Sequence, residues 1–454
     1  MTREVRLLST SAILGYGFPE ASLEAGMARR PHMIGVDGGS VDPGPYYLGA
    51  GKPFCSPMAI RRDLRLMLRA AILHGVPMVI GTCGGSGGEP HLQAVAAMAR
   101  QIAHEDGLHF RMALIHAEPD RVSLLEQVAA GRVHPLAELA PLSRDDVERA
   151  TRIVGMMGPE PFMQAMEGGA QVILAGRASD PAPWAAACLR AGLPPAPSWY
   201  AGKMLECGAT PSLPKGHDCL FVTVRDDHVD CEPLNPIRRC TPLSIANHSL
   251  HENASPIHHT EPGGMLDTSA CRFEALSDRA VRISGMSWTP SQQYTVKLEG
   301  VELAGYRTIC SCGTRDPLLI ERIDTFLEDI RAIVAEKAAA FGAMPSQYQL
   351  SIRVYGRDGV MGPREPVRDA TPHELGFVIE AVGETQEIAT AVLGIARTNM
   401  LHTDFPGRLC REGNMAFPFS PSDVEVGAVY RFSIYHVLEL DDPTAIFPIE
   451  YEEV

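Results

Sequence analysis

Short apolar runs of β-type residues recur through the first half of the chain, and each gives way to glycine, serine or charged residues. Met33-Ile34-Gly35-Val36 leads into Asp37-Gly38-Gly39-Ser40, and Pro77-Met78-Val79-Ile80 into Gly81-Thr82-Cys83-Gly84-Gly85-Ser86-Gly87-Gly88. Met112-Ala113-Leu114-Ile115 leads into His116-Ala117-Glu118, and Val172-Ile173-Leu174 into Ala175-Gly176-Arg177-Ala178-Ser179-Asp180. Between them the spacing predicts helices over residues 62–74, 90–106, 121–130 and 144–157, with Ser143 placed to cap the last. Residues 161–167 precede the strand at 172, and Asp180-Pro181 opens a further helix. Continuous apolar strands alternating with helices predict a mainly parallel sheet covered on both faces. Residues 1–207 are therefore read as a doubly wound, Rossmann-like α/β domain. Ligands of such sheets bind beyond the carboxyl ends of the strands, where the polar residues of this chain gather.

The pattern changes after residue 207. Residues 208–292 are irregular and β-rich, with many Pro, His, Cys and Asp. Residues 293–454 read as strand 306–312, helix 317–341, strands 347–355 and 375–382, helix 384–399 and strand 429–438. That order, β-α-β-β-α-β, predicts a C-terminal ferredoxin-like α+β domain. The loop over 402–423 is long enough to serve as a lid or subunit contact, the plain alternative being a packed surface loop.

Composition narrows the function classes. The chain has 454 residues, room for two or three domains at roughly 100–200 residues each. Its formal net charge of −15 argues against nucleic-acid or anionic-membrane partners, which call for a basic face. No apolar run approaches the roughly 20 residues of a membrane span. The start Met1-Thr2-Arg3-Glu4-Val5-Arg6 lacks a signal-peptide core, so a cytoplasmic location is expected. Eleven cysteines without paired Cys-x-x-Cys motifs predict buried free thiols, at Cys310 and Cys312 among others, rather than disulfides or structural zinc.

Candidate chemistry follows the strand ends. The loop of Gly84, Gly85, Ser86 and Gly87 precedes a helix at Pro90. It suits phosphate or carboxylate binding through backbone N–H groups, the alternative being a tight packing loop. It matches neither a dinucleotide fingerprint nor a P-loop, so no nucleotide cofactor is expected. The cofactor is left unassigned, with a divalent metal one option. Asp37 is a candidate base or metal ligand, and Ser40 a candidate substrate contact; loop capping explains both equally well. His116 and Glu118 suit an oriented acid–base pair or a metal, against a packed histidine beside an Asp120 helix cap. Arg177 suits carboxylate recognition, with Asp180 beside it as a further substrate contact or a cap. Lys203 and Glu206 lie one helical turn apart and suit base or Schiff-base chemistry, or a surface ion pair. His248, His251, His258 and His259 match no named metal motif, and a solvated loop is their default reading. No Gly-x-Ser-x-Gly elbow is present, which disfavours an α/β-hydrolase.

Several segments together resemble the acyclic terpene utilisation AtuA family. They are Val36 through Gly49, Gly84 through His91, Ile173 through Pro181, Gly202-Lys203-Met204-Leu205-Glu206-Cys207-Gly208, and Gly413 through Asp423 with Asn414. The resemblance implies a role in bacterial breakdown of acyclic terpenoids such as citronellol and geraniol, through coenzyme A thioesters. Taken with the residues, the expected function is catabolic lyase or hydratase chemistry on a carboxylate or acyl-CoA metabolite. Asp37, His116, Glu118, Lys203 and Glu206 would move protons, and Ser40, the Gly-rich loop, Arg177, Asp180 and Asn414 would bind substrate. A non-catalytic metabolite-binding or scaffold subunit and a metal-dependent hydrolase are the alternatives. The expected partners are a small anionic metabolite and further copies of the chain in a homo-oligomer, with a small partner subunit as an option.

Overall fold

The alternating helices and strands appear in the expected order at the start of the chain. The computed structural model describes residues 3–367, 370–409 and 412–454. Its first elements are β1 (Val5–Ile13), α1 (Glu20–Ala28), β2 (Met33–Asp37), α2 (Pro45–Ala50), α3 (Pro57–His74), β3 (Met78–Gly81), α4 (Glu89–Asp106) and β4 (Arg111–Ile115). Next come α5 (Arg121–Ala129), β5 (Val133–Pro135), α6 (Arg144–Arg149), β6 (Arg152–Met156), α7 (Glu160–Glu167), β7 (Val172–Ala175), α8 (Ala182–Arg190) and α9 (Pro195–Leu205). Ser143 caps α6 in a capping box with Asp146. The helix expected over 144–157 stops at Arg149, however. Arg152-Ile153-Val154-Gly155-Met156 becomes a strand because Lys297–Val301 pairs with it antiparallel.

Strands β1, β2, β3, β7 and β4 lie side by side in that order, all parallel. Their side chains alternate between two cores. Leu8, Ile34, Ile80, Leu114 and Leu174 pack with residues of α1, α3 and α4. Leu7, Met33, Val79, Ala113 and Ile173 pack with residues of α7, α8 and α9. This is why the strands read as unbroken apolar runs: both faces are covered. The chain steps from β1 to β4 with its connecting helices on one face, then returns on the other face to insert β7 between β3 and β4. Such a reversal opens a crevice at the carboxyl ends of the neighbouring strands.

The middle segment enlarges this sheet. It carries β8 (Leu220–Val224), β9 (His228–Pro233), α10 (Pro242–Ser249), β10 (His258–Glu261), β11 (Gly264–Asp267), β12 (Arg272–Ala275), β13 (Val281–Ser284), β14 (Ser287–Pro290) and the start of β15 (Tyr294–Thr314). Strand β8 pairs antiparallel with β1 and is followed outward by β9, β13 and β12. Strands β10, β11 and β14 form a separate three-stranded sheet. That small sheet packs on α9, where Trp199 stacks on Trp288 with ring centroids 5.3 Å apart and planes 5° from parallel.

The chain divides into two compact units, residues 1–302 with 432–454, and residues 303–431. The expected boundaries at 207 and 292 do not coincide with this division, because β8 and β9 hydrogen-bond onto the first sheet. After β15 come α11 (Pro317–Glu321), α12 (Ile323–Ala340), β16 (Tyr348–Tyr355), β17 (Leu375–Gly383), α13 (Gln386–His402), β18 (Asp423–Leu440) and β19 (Ile449–Glu453). The second sheet has six strands in the order β16-β17-β15-β18-β5, with β6 also paired to β15, and β16-β17 and β17-β15 are antiparallel. The helix expected over 317–341 is split at Arg322. Phe326, Ile330 and Val334 of α12 meet Val392 and Leu393 of α13, Phe377 and Ile379 of β17, and the buried thiols of Cys310 and Cys312. In the first unit β19 pairs antiparallel with β4 at the far edge of the large sheet.

Candidate functional site

The parallel strands deliver Asp37, the Gly-rich loop, His116 and Arg177 to one edge of the sheet. Asp37 is the last residue of β2, the loop follows β3, His116 follows β4, and Arg177 lies two residues beyond β7. The loops are packed backbone against backbone. The Arg177 N–H donates to the Gly87 carbonyl at 3.0 Å. Gly87 has φ +66°, and a Cβ there would sit 2.3 Å from the Arg177 nitrogen, so only glycine fits. Gly84 and Gly85 likewise press on His91 and Phe54. Ser86 is buried, and its hydroxyl has no partner among the described residues.

The start of α4 is occupied by the protein's own carboxylate. Glu118 Oε1 accepts from the Glu89 backbone N–H at 2.7 Å and from Arg152 Nη1 at 3.1 Å. His116 Nδ1 lies 2.8 Å from Glu89 Oε2. Glu118 thus satisfies an orphan N–H of this helix and faces the positive end of its dipole. Asp120 caps α5 through the Ser123 N–H. Glu118→Ala is expected to lower stability by about 1 kcal/mol, read from the urea midpoint, because both contacts are lost together. An unchanged midpoint would show that the cap carries no weight.

Arg177 is also engaged within the protein. It is 4% exposed, and its Nε donates to Glu299 Oε2 at 2.7 Å. Its Nη1 donates to the Ala178 carbonyl at 2.7 Å and to Asp180 Oδ1 at 3.2 Å. Glu299, on β15, is fully buried and also pairs with Lys297 at 2.7 Å. In the fold, Arg177 thus grips the Glu299 carboxylate.

Beside it lies a buried acid cluster. At the end of α9, Lys203 Nζ donates to Glu206 Oε1 at 2.7 Å, with both side chains buried rather than on the surface. Asp180 and Glu261 (the last residue of β10) surround this pair electrostatically, and Asp37 couples to Asp180 and Glu206. Ser179 donates its hydroxyl to Glu261 Oε2. Burial pushes the Glu206 carboxyl up to about 8 against the pull of Lys203, and the Asp180 and Glu261 charges add to it. Burial raises Glu261 to about 7, with Asp180 adding. Asp37 is raised by burial and then by Asp180, and Asp180 is raised by burial against Arg177. Burial lowers Lys203, but Glu206, with Cys207 and Glu261, raises it overall, which favours its ammonium form. Lys203, Arg177 and Lys297 are fewer than the carboxyls of Asp37, Asp180, Glu206, Glu261 and Glu299 around them, so the cluster holds protons near neutral pH. Groups poised this way serve as general acids and bases.

This edge of the sheet also carries the match to known proteins. Residues 60–211 match the family model described as "Acyclic terpene utilisation family protein AtuA". The AtuA match runs from within α3 to just beyond α9. It contains the Gly-rich loop, His116, Glu118, Arg177, Asp180, Lys203 and Glu206, and the resemblance read from the sequence motifs holds over this stretch. Asp37, Glu261, His259 and Asn414 lie outside the AtuA match. No curated protein and no solved structure matches the chain.

Two further sequence candidates, Ser40 and Asn414, are hydrogen-bonded within their own segments. The Ser40 hydroxyl donates to Asp42 Oδ2 at 2.8 Å and closes its own loop. Asn414 lies in the second unit, where its amide donates to the carbonyls of Met400 and Thr403 at the end of α13. Part of that 402–423 loop, residues 410 and 411, falls outside the described residues. Among the described residues, no three of His, Cys, Asp and Glu are grouped as metal ligands. A cavity of about 490 Å³ in the first unit lies at the opposite, amino-terminal ends of the strands, lined by Val5, Met33, Pro77 and Ala170. The sequence reasoning missed Glu261, Glu299, Ser179 and the pair Tyr294–Glu160, in which the phenol donates at 2.5 Å. It also left His248 and His259 to a solvated loop, whereas both are buried. The signal for His259 and Glu261 was their alternate spacing on a short strand.

Proposed function

We propose that this chain is an enzyme that moves protons next to a carbonyl group, with lyase or hydratase chemistry on a small catabolic metabolite. The observation that carries this reading is the buried Lys203–Glu206 pair set among Asp37, Asp180 and Glu261 at the carboxyl edge of a parallel sheet. Lys203 would stabilise negative charge developing on a substrate oxygen. Glu206 and Glu261, held protonated by burial, would donate a proton, and Asp180, which Arg177 pulls back toward its ionised form, would accept one. The family resemblance supports a free acid or a coenzyme A thioester as substrate. A cytoplasmic setting goes with this reading, supported by free thiols at ten described cysteines. No helix among the described residues is long and apolar enough to cross a membrane. Strand order and helix placement support a doubly wound first sheet and a ferredoxin-like second unit as the finer description of the fold.

The test is hydrogen exchange in D2O, which detects proton abstraction even where no net turnover accumulates. The probes are short β-hydroxy and α,β-unsaturated acids, their methyl esters and their coenzyme A thioesters, read by mass spectrometry. The wild type is expected to label at least one class at the carbon beside the carbonyl. Lys203→Met and Glu206→Gln are expected to slow labelling by about 10²–10⁴-fold with the fold retained by circular dichroism. Labelling at the wild-type rate in both variants would remove the cluster from the chemistry, and the scaffold reading would then lead.

A further inference from the structure

Two histidines beside the cluster have polar atoms with nowhere to go. His259, on β10, is 3% exposed, and neither ring nitrogen has a hydrogen-bond partner among the described residues. The carbonyls of Pro256 and Ser249 face its ring as weak backbone acceptors, short of full hydrogen-bond geometry. His248, on α10, is 4% exposed, and its Nε2 is likewise unpartnered. Folded proteins rarely leave buried polar groups unpaired, and those that remain point to an absent ligand or water. Both rings lie within the field of Lys203. Alternation along β10 puts His259 on the same face as Glu261, the carboxyl that takes the Ser179 hydroxyl. Helix α9, which carries Lys203, packs against α10 and against β11 and β14 of the small sheet. Two separate insertions of the chain thus bring an imidazole to one ammonium.

Burial and the Lys203 charge hold both rings neutral, His248 lowered to about 3 and His259 to about 4. A neutral imidazole offers one N–H donor and one acceptor without net charge. Charge in the neighbourhood is already weighted toward acids. Asp37, Asp180, Glu206, Glu261 and Glu299 outnumber Lys203, Arg177 and Lys297, so part of the set already holds protons. A ligand carboxylate would add one more acid to be protonated or paired.

We propose that His259, with His248, forms an uncharged hydrogen-bonding subsite beside Lys203 that takes a neutral oxygen of the substrate, a carbonyl or hydroxyl, rather than a carboxylate. The proposal rests on the acid–base reading of the cluster and names the substrate class of that site. It narrows the substrate to esters, thioesters, amides or alcohols at the end that enters the subsite.

The experiment has one arm that needs no substrate. His259→Leu removes the unpartnered nitrogens and keeps an apolar side chain of similar bulk. In ligand-free protein its urea and thermal midpoints are expected to equal or exceed those of the wild type, because no hydrogen bond is lost and a buried polar group is removed. A lowered midpoint would mean that the ring is structural and would overturn the proposal. The second arm uses the D2O assay with methyl β-hydroxybutanoate and free β-hydroxybutanoate. The ester is expected to label faster in the wild type, with His259→Leu slower by about 10²-fold and His259→Gln, which keeps a donor and an acceptor, partly restored. Faster labelling of the free acid, or ester labelling unaffected in His259→Leu, would also overturn it. An unchanged or raised midpoint with no labelling of either probe would overturn the acid–base reading and, with it, the substrate class assigned to the subsite.

Discussion

Arg177→Met is expected to lower the stability of the first unit by about 3–5 kcal/mol, the usual cost of stranding one partner of a buried ion pair. Glu299 is fully buried and takes its short contact from Arg177 Nε. Without the guanidinium it keeps only Lys297, and the carbonyl of Ala178 loses its donor. Arg177→Lys should recover only part of the loss, because an ammonium lacks the planar fork that reaches Glu299, Ala178 and Asp180 together. The double variant Arg177→Met/Glu299→Leu should recover much of it, since the fully buried Glu299 is no longer stranded, while the more exposed Asp180 and Lys297 each lose a partner. Urea midpoints of the single and double variants check this. A stable Arg177→Met protein that had lost only ligand binding would show that the guanidinium serves the substrate after all.

The second large effect is a loss of stability between about pH 6.5 and 8. Glu206 and Glu261 are raised from 4.5 to about 8 and about 7, so the native state holds protons that the unfolded chain releases. Their contribution is fully present below the unfolded value and is lost as pH rises through the folded one, at up to roughly 1.4 kcal/mol per pH unit for each group. His248 and His259 act in the opposite sense. They are lowered from 6.5 to about 3 and about 4, so their contribution is present above the unfolded value and is lost as pH falls. The two effects oppose each other up to about pH 6.5, and above it the carboxyls act alone. Stability from urea titrations at pH 6.5, 7 and 8 should therefore fall stepwise in the wild type. Glu206→Gln, which keeps the shape and removes the titration, should flatten the curve. Constant or rising wild-type stability across that window would contradict the proton-loaded cluster.

The strand-then-loop rhythm of the first half was legible because each strand is covered on both faces and reads as a continuous apolar run. Its consequence, Asp37, the Gly-rich loop, His116 and Arg177 on one edge, follows from parallel strands alone. The element series of the C-terminal region and the helical pairing of Lys203 with Glu206 are equally local, set by periods of two and of 3.6 residues. What those side chains bind was not local. The partner of Arg177 is 122 residues away on β15, and the partner of the α4 N-terminus is Glu118, 29 residues on. Residues 152–156 became a strand because Lys297–Val301 offered a ladder that outweighed the helical pattern. Glu261 and His259 reached the cluster only because the small sheet folds onto α9. The sequence by itself determined most of the elements, residues 152–156 apart, and which residues crowd the strand ends, since propensity and periodicity act over a few residues. The tertiary structure alone decided which of those residues are consumed by partners within the fold and which keep unpaired polar atoms, since burial and charge pairing depend on neighbours that the chain brings from far away.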